Sequence, residues 1–409
     1  TNSGTIDGTN GILSSATIGS VTNSAGGLIN AGYRGMVQTG GSVGQFTNNG
    51  SVTTGLVGVS FEGGATLGTF TNSGTIDVSG GTGVGLALTG TVSNLAGARI
   101  AGHGYGHGVA ITDNVSLVTN AGEITAGLTA LNIVGGTTTT INNSGSVSGA
   151  NRGLETGLDV TIGTLTNSGT FSGAYSVVIA NTGTVTNTAT GLITATANDA
   201  LYLQGGKTLT LLDNAGTISG PGTGFNGIDG STVGSLMNSG TISGGYAVVV
   251  ATSGTVTNAA GGLIDATGVD GVYVRAGASS LAGLVNAGAI TAASRGVNIN
   301  AGTTNSIDNS GSISGGYSGL ESAPGVVIGT VVNSGTVSGG AYGAVLATTG
   351  TVTNASGALI KGTTNEGINL HGGYTLSLLD NAGTISAGNI GVYGVAGSTI
   401  ATLTNSGTI

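Results

Sequence analysis

The hexapeptide TNSGTI occupies residues 1–6, returns at 71–76 and stands again at 404–409. Between these copies the chain is filled with relatives of NSGTI, some in an expanded form such as NSAGGLI at 23–29 and NASGALI at 354–360. The leading asparagines are Asn2, Asn23, Asn48, Asn72, Asn94, Asn120, Asn143, Asn167, Asn187, Asn214, Asn238, Asn258, Asn286, Asn309, Asn333, Asn354, Asn381 and Asn405. These eighteen copies lie 20 to 28 residues apart, which sets a repeat of about 24 residues as the unit of the fold.

The positions around each Asn are more regular than the spacing. Two residues before it, wherever the chain reaches that far back, stands an apolar residue, from Val21 and Phe46 through Leu212 to Leu403. The last letter of the motif is always Ile, Val or Phe, as at Ile6, Phe171 and Ile409. With an apolar share of 38%, chance does not produce this, so both positions are expected to point inward. A third apolar segment sits midway between motifs, as in VGLAL at 84–88, SVVIA at 176–180, AVVVA at 247–251, GVYVR at 271–275 and GINLH at 367–371. Short, β-branched and flanked by Gly, these read as strands.

One repeat is therefore three short strands joined by Gly, Asn and Ser turns. A unit of this size cannot bury its apolar face alone and must stack on its neighbours. The expected fold is all-β, a single parallel β-helix of about 17 coils, continuous over residues 1–409 without an internal domain boundary. At the spacing of hydrogen-bonded strands this makes a rod of about 80 Å. The eighteen Asn residues are expected to form an internal amide ladder, with the Gly two positions later taking a positive φ to bend the chain. Duplication built the array, since residues 143–218 align with 309–385 almost letter for letter. Opening and closing on one hexapeptide fits a segment of a longer repeat protein.

Composition narrows the functional classes. Gly makes up 85 of 409 residues, Cys and Trp are absent, and charged residues are 6%. Lack of Cys removes thiol catalysis, disulfides and Cys-bound zinc. A formal charge of −9 opposes the tracking of phosphates, so no nucleic-acid partner is expected. No apolar run is long enough for a spanning helix, and no membrane contact is expected within this segment.

NSGTI repeats with TVTNxAxGxLI variants, rich in Gly, Thr, Ser and Asn and free of Cys, resemble the passenger regions of large bacterial autotransporter adhesins. Two-partner-secretion haemagglutinins look similar. The resemblance covers essentially the whole chain and implies a right-handed β-helix on the outer surface of a Gram-negative cell, exported by segments outside this chain. It implies a role in attachment, aggregation or biofilm matrix, with a host or neighbouring cell surface, or identical rods, as partner. A self-assembling extracellular filament is the alternative, and a polysaccharide-processing β-helix enzyme the third reading.

An enzyme of that third kind needs clustered acids and bases. Asp199, Asp270 and Glu366 recur just before the middle strand, with Arg34 and His107 in like positions. Successive members of this set are three or four coils apart, about 14–19 Å, too far for paired carboxylates acting on one glycosidic bond. Asp265, Asp270 and Arg275 make the densest charge cluster, and His103 and His107 flank Tyr105 in GHGYGHG. Neither assembles a ligand set from sequence alone, so no catalytic residue, metal or cofactor is expected. TVTN and TTTTINN put Thr on outward strand positions, as ice-binding solenoids do, but coils of unequal length are expected to break such rows.

Overall fold

In the computed structural model the described residues are 1–275 and 280–409, and of Leu88 and Thr89 only the backbone is described. The chain divides into two compact units, Thr1–Tyr202 and Leu203–Ile409. Each is a parallel β-solenoid with three strands per coil; together they hold about sixteen turns of about 24 residues, and the described residues contain no helix. One coil shows the plan. Ser42–Asn48 forms the first wall and ends on the motif Asn, Ser51–Thr54 forms the second, and Val57–Phe61 forms the third. Within each unit the strands pair in parallel with the same wall of the coils beside them, as Phe46 opposite Phe70, Val52 opposite Ile76 and Val59 opposite Val84 illustrate. In some coils the second and third walls run on as one bent strand, Leu28–Gln38 and Thr241–Val250 being examples.

The core is built of the inward columns of these walls. Phe46, Phe70, Val92 and Leu165 stack from the first wall, Ile76, Ile100 and Phe171 from the second, and Val84, Val109 and Leu154 from the third, all of them buried. In the second unit Leu236, Ile242 and Val272 occupy the same places. Phe46 and Phe70 lie nearly parallel with centroids 5.6 Å apart, a consequence of in-register stacking of one aromatic on the next.

The Asn column runs through the interior. In the first unit each side-chain Nδ2 donates to the Oδ1 of the next Asn, from Asn2 through Asn23, Asn48, Asn72, Asn94, Asn120, Asn143 and Asn167 to Asn187, at 2.8 to 2.9 Å. In the second unit the same chain of bonds runs from Asn214 to Asn405 at 2.7 to 2.8 Å. The amide also reaches backbone. Asn48 donates to Gly50 O at 3.2 Å and to Thr75 O at 3.1 Å, so its two hydrogens serve three acceptors. A buried polar side chain is thus satisfied within its own turn and the next coil, and aligned amide dipoles reinforce one another.

Two sequence expectations need correction. The Gly two residues after the Asn does not have a positive φ. It is required by close approach instead: at Gly74 a Cβ would land on the carbonyl oxygen of Gly50, and at Gly240 on that of Gly216. Positive φ is used in the expanded copies, as at Gly26 and Gly261, and in turns such as Gly206 that lead into the first wall. The unequal coil lengths also do not disturb the first wall. From Asn72 to Asn187 successive ladder steps are 22, 26, 23, 24 and 20 residues long, yet the strands stay in register because the extra residues fall in the turns and the other walls.

Candidate functional site

The richest group of ionisable side chains lies on the third wall of the second unit. Register sets Asp270 beside Arg295, Arg295 beside Ser318, and Ser318 beside Tyr342, while the second column carries Tyr273, Asn298 and Glu321. Strict alternation would put Asp270, Arg295 and Ser318 on the side of the Val272, Val297 and Leu320 core column. The intervening Gly271, Gly296 and Gly319 instead take inward places against Ile290, Ile313 and Val337, so the Asp270 column joins Asn298 and Glu321 on the outward side. Asp270 nevertheless is only 1% exposed, covered by its neighbours.

Asp270 Oδ2 accepts a hydrogen bond from Asn298 Nδ2 at 2.8 Å. Its Oδ1 has no hydrogen-bond partner and lies 3.6 Å from Arg295 Nη1. Arg295 turns its Nε toward Glu321 Oε2 at 3.0 Å, and Ser318 Oγ donates to the same oxygen at 3.0 Å. Arg295 therefore sits between two carboxylates, and its guanidinium lies 5.7 Å from the centre of the Tyr317 ring, where cation and ring face attract. Tyr317 meets Tyr342 edge-on at 5.3 Å, and Tyr246 lies 5.6 Å from Tyr273, whose hydroxyl accepts from Asn300 at 3.1 Å.

Burial pushes the Asp270 carboxyl above its ordinary value, against the lowering effect of Asn298 and Arg295. Tyr246 is raised by burial and then by the Asp270 charge, and Tyr317 by burial and then by Tyr342. Burial works to lower Arg295, but the bond and charge of Glu321, followed by the Asp270 charge, hold it above its ordinary value.

The first unit carries a simpler version. Arg152 pairs with Glu155 at 3.2 Å and stacks over Tyr175, which meets Tyr202 at 6.2 Å. Arg34 pairs with Glu62 at 3.4 Å and stacks over Tyr33. In each case an Arg, an acid and a Tyr from neighbouring turns close on one another, which staples coils together.

The cluster singled out in sequence is not assembled. Asp265 accepts from Thr291, Arg275 pairs with Asp229 at 2.7 Å, and Asp270 turns to Asn298 and Arg295. The two histidines also part company: His103 contacts Asp77 at 3.0 Å, His107 contacts Asn132 at 3.2 Å, and Tyr105 between them is 92% exposed. Glu366 is buried near Asn369 at 3.4 Å, and the carbonyl of Asp199 accepts from Ser176 N at 3.4 Å. Among the described residues no group of three His, Cys, Asp or Glu could hold a metal ion. Arg295, Asn298 and Glu321 were missed in sequence because they are neighbours across coils, not along the chain. Aligning DGVYV with RGVNI and SGLES puts Asp270, Arg295 and Ser318 in one column and finds them.

An acid pair acting on one bond needs roughly 5–9.5 Å and an open path to it. Here the two carboxylates belong to coils two steps apart, about 9.6 Å along the stack, with a guanidinium between them. Such an arrangement neutralises charge and leaves Tyr317, 43% exposed, and Asn300 as its outer contact groups. No protein-family model, curated protein or solved structure matches the chain.

Proposed function

We propose that this chain is a non-enzymatic structural and adhesive segment of an extracellular protein, displayed at the outer surface of a Gram-negative bacterium in the manner of an autotransporter passenger. The observation that carries the reading is where the polar side chains go. The interior amides bond coil to coil in both units, and the main acid and base cluster closes on itself around Arg295. Each device adds stacking strength and leaves the outer walls free for contact. The repeat grammar of NSGTI supports the surface assignment.

The test uses the purified chain on beads. Saturable binding to bacterial or host cells, above that of albumin-coated beads, is expected, together with no release of reducing ends or unsaturated sugars from a polysaccharide panel. Turnover of any polysaccharide that is lost in Asp270→Ala would overturn the non-enzymatic reading, and binding no better than albumin would overturn the adhesive one.

A further inference from the structure

The outward face of the first wall in the first unit is a regular array of Thr. The strands Thr66–Asn72, Leu88–Asn94, Val115–Asn120, Thr137–Asn143, Thr161–Asn167 and Asn181–Asn187 lie side by side in register. One row, three residues before the ladder Asn, reads Thr69, Thr91, Leu117, Thr140, Thr164 and Thr184. The row one residue before it reads Thr71, Ser93, Thr119, Asn142, Thr166 and Thr186. Nine of these twelve positions are Thr, none is fully buried, and the six strands contain no charged residue. A shallow trough lined by Thr66, Gly68, Gly90, Asn114, Ser116 and Thr137 borders the rows on one side.

The spacing is what gives the array meaning. Along the stack the side chains repeat at about 4.8 Å, and along each strand the two rows are about 6.7 Å apart. These two repeats are close to those of the oxygen rows on a prism face of ice. The Asn ladder directly behind the face and the buried Phe70, Val92 and Leu165 hold the rows rigid, so the array does not have to be ordered on binding. Thr supplies a methyl that seats between waters and a hydroxyl that completes their bonds. Some hydroxyls bond along the row, Thr119 to Ser93 at 3.0 Å and Thr164 to Thr140 at 3.4 Å, which fixes their rotamers.

A protein partner suits this face poorly. Interfaces are anchored by aromatic and large apolar residues at their centre, whereas Leu117 is the one large apolar residue in the two rows. The same wall of the second unit is different: Asp213, Asp308 and Asp380 carry charge into the row beside the ladder, and Met237, Val285 and Val332 break it.

The geometry points to an ice-binding surface on the first wall of the first unit, an activity beyond the structural and adhesive role above and independent of it. The full chain would adsorb to ice through its Thr rows.

The experiment is ice-affinity partition and thermal hysteresis of the purified chain, with Thr166→Tyr as the test variant and Thr257→Tyr, at the same position of the second unit, as its control. Circular dichroism verifies that both variants keep the fold. The expected result is several-fold enrichment in slowly grown ice and measurable hysteresis, reduced at least threefold by Thr166→Tyr and unchanged by Thr257→Tyr. No enrichment, or an equal loss in both variants, would overturn the proposal. So would a dimer that Thr166→Tyr dissolves, or retention on crystalline chitin that it abolishes, since either gives the face another occupant.

Discussion

Glycine serves two physical ends in this fold, a positive φ in turns and, two positions after most ladder Asn residues, close approach of one backbone to another. At Gly26 and Gly206 it supplies a positive φ, and at Gly240 it supplies absence of a side chain. Gly240→Ala is expected to destabilise the protein by about 2 kcal/mol, because the backbone of the adjacent coil cannot move aside as a flexible side chain would. Gly32→Ala, where a Cβ meets nothing within 4 Å and φ is not positive, is expected to be neutral or slightly stabilising. Urea midpoints of the two variants compare the terms directly, and equal midpoints would remove the close-approach argument. From the sequence the recurrence of this Gly is plain, but its reason is not, since the clashing carbonyl lies about 24 residues away along the chain.

At the scale of the strand, inward columns tolerate a few hydroxyls. Thr304 is buried between Leu281 and Ile328 of the adjoining coils, and its Oγ1 has no hydrogen-bond partner. Thr304→Val keeps the shape and removes an unsatisfied hydroxyl, so a gain of about 1 kcal/mol in denaturant unfolding is expected. The third-wall column gives the opposite case. Arg295→Met leaves the buried Asp270 carboxylate with Asn298 alone, and a loss of about 2 kcal/mol is expected at neutral pH, below the full value for a buried pair because Arg295 is partly exposed. A carboxyl raised in the folded state above its ordinary 3.8 costs stability when ionised, and the cost fades as pH falls through the raised value toward 3.8. The variant raises Asp270 further, so its deficit is expected to be widest at neutral pH and to shrink on acidification. A deficit constant from pH 7 to 3 would show that Asp270 is not the group left exposed to the loss.

At the scale of the whole molecule each of the two units is a one-dimensional array in which a coil touches its neighbours within that unit. A defect should therefore stay local. Asn238→Leu breaks the bonds to Asn214 and Asn258 and to the carbonyls of Gly240 and Leu263. Amide hydrogen exchange is expected to quicken by one to two orders of magnitude in the coils flanking residue 238, while coils four or more steps away in the same unit keep their protection. Uniform loss across that unit would mean that it unfolds as a single cooperative block. The core and the ladder positions are legible in the sequence, because NSGTI repeats with apolar residues at constant offsets and burial imposes that pattern on every coil. The candidate site was legible only in part: Asp270 stands out as a charge, but its partners do not.

What the sequence determined alone was the period, the three strands of each coil, and which residues face the interior, since these follow from local alternation and from the need of each unit to bury one apolar face. What the tertiary structure decided was everything that depends on register between coils. It placed Arg295 between Asp270 and Glu321, set Gly240 against a carbonyl, and kept Thr69 to Thr186 in register despite unequal coil lengths. The reason is that parallel strand pairing and the Asn ladder lock residues 20 to 28 positions apart, while turns absorb the insertions, so neighbours in space are set by hydrogen bonding between coils and not by distance along the chain.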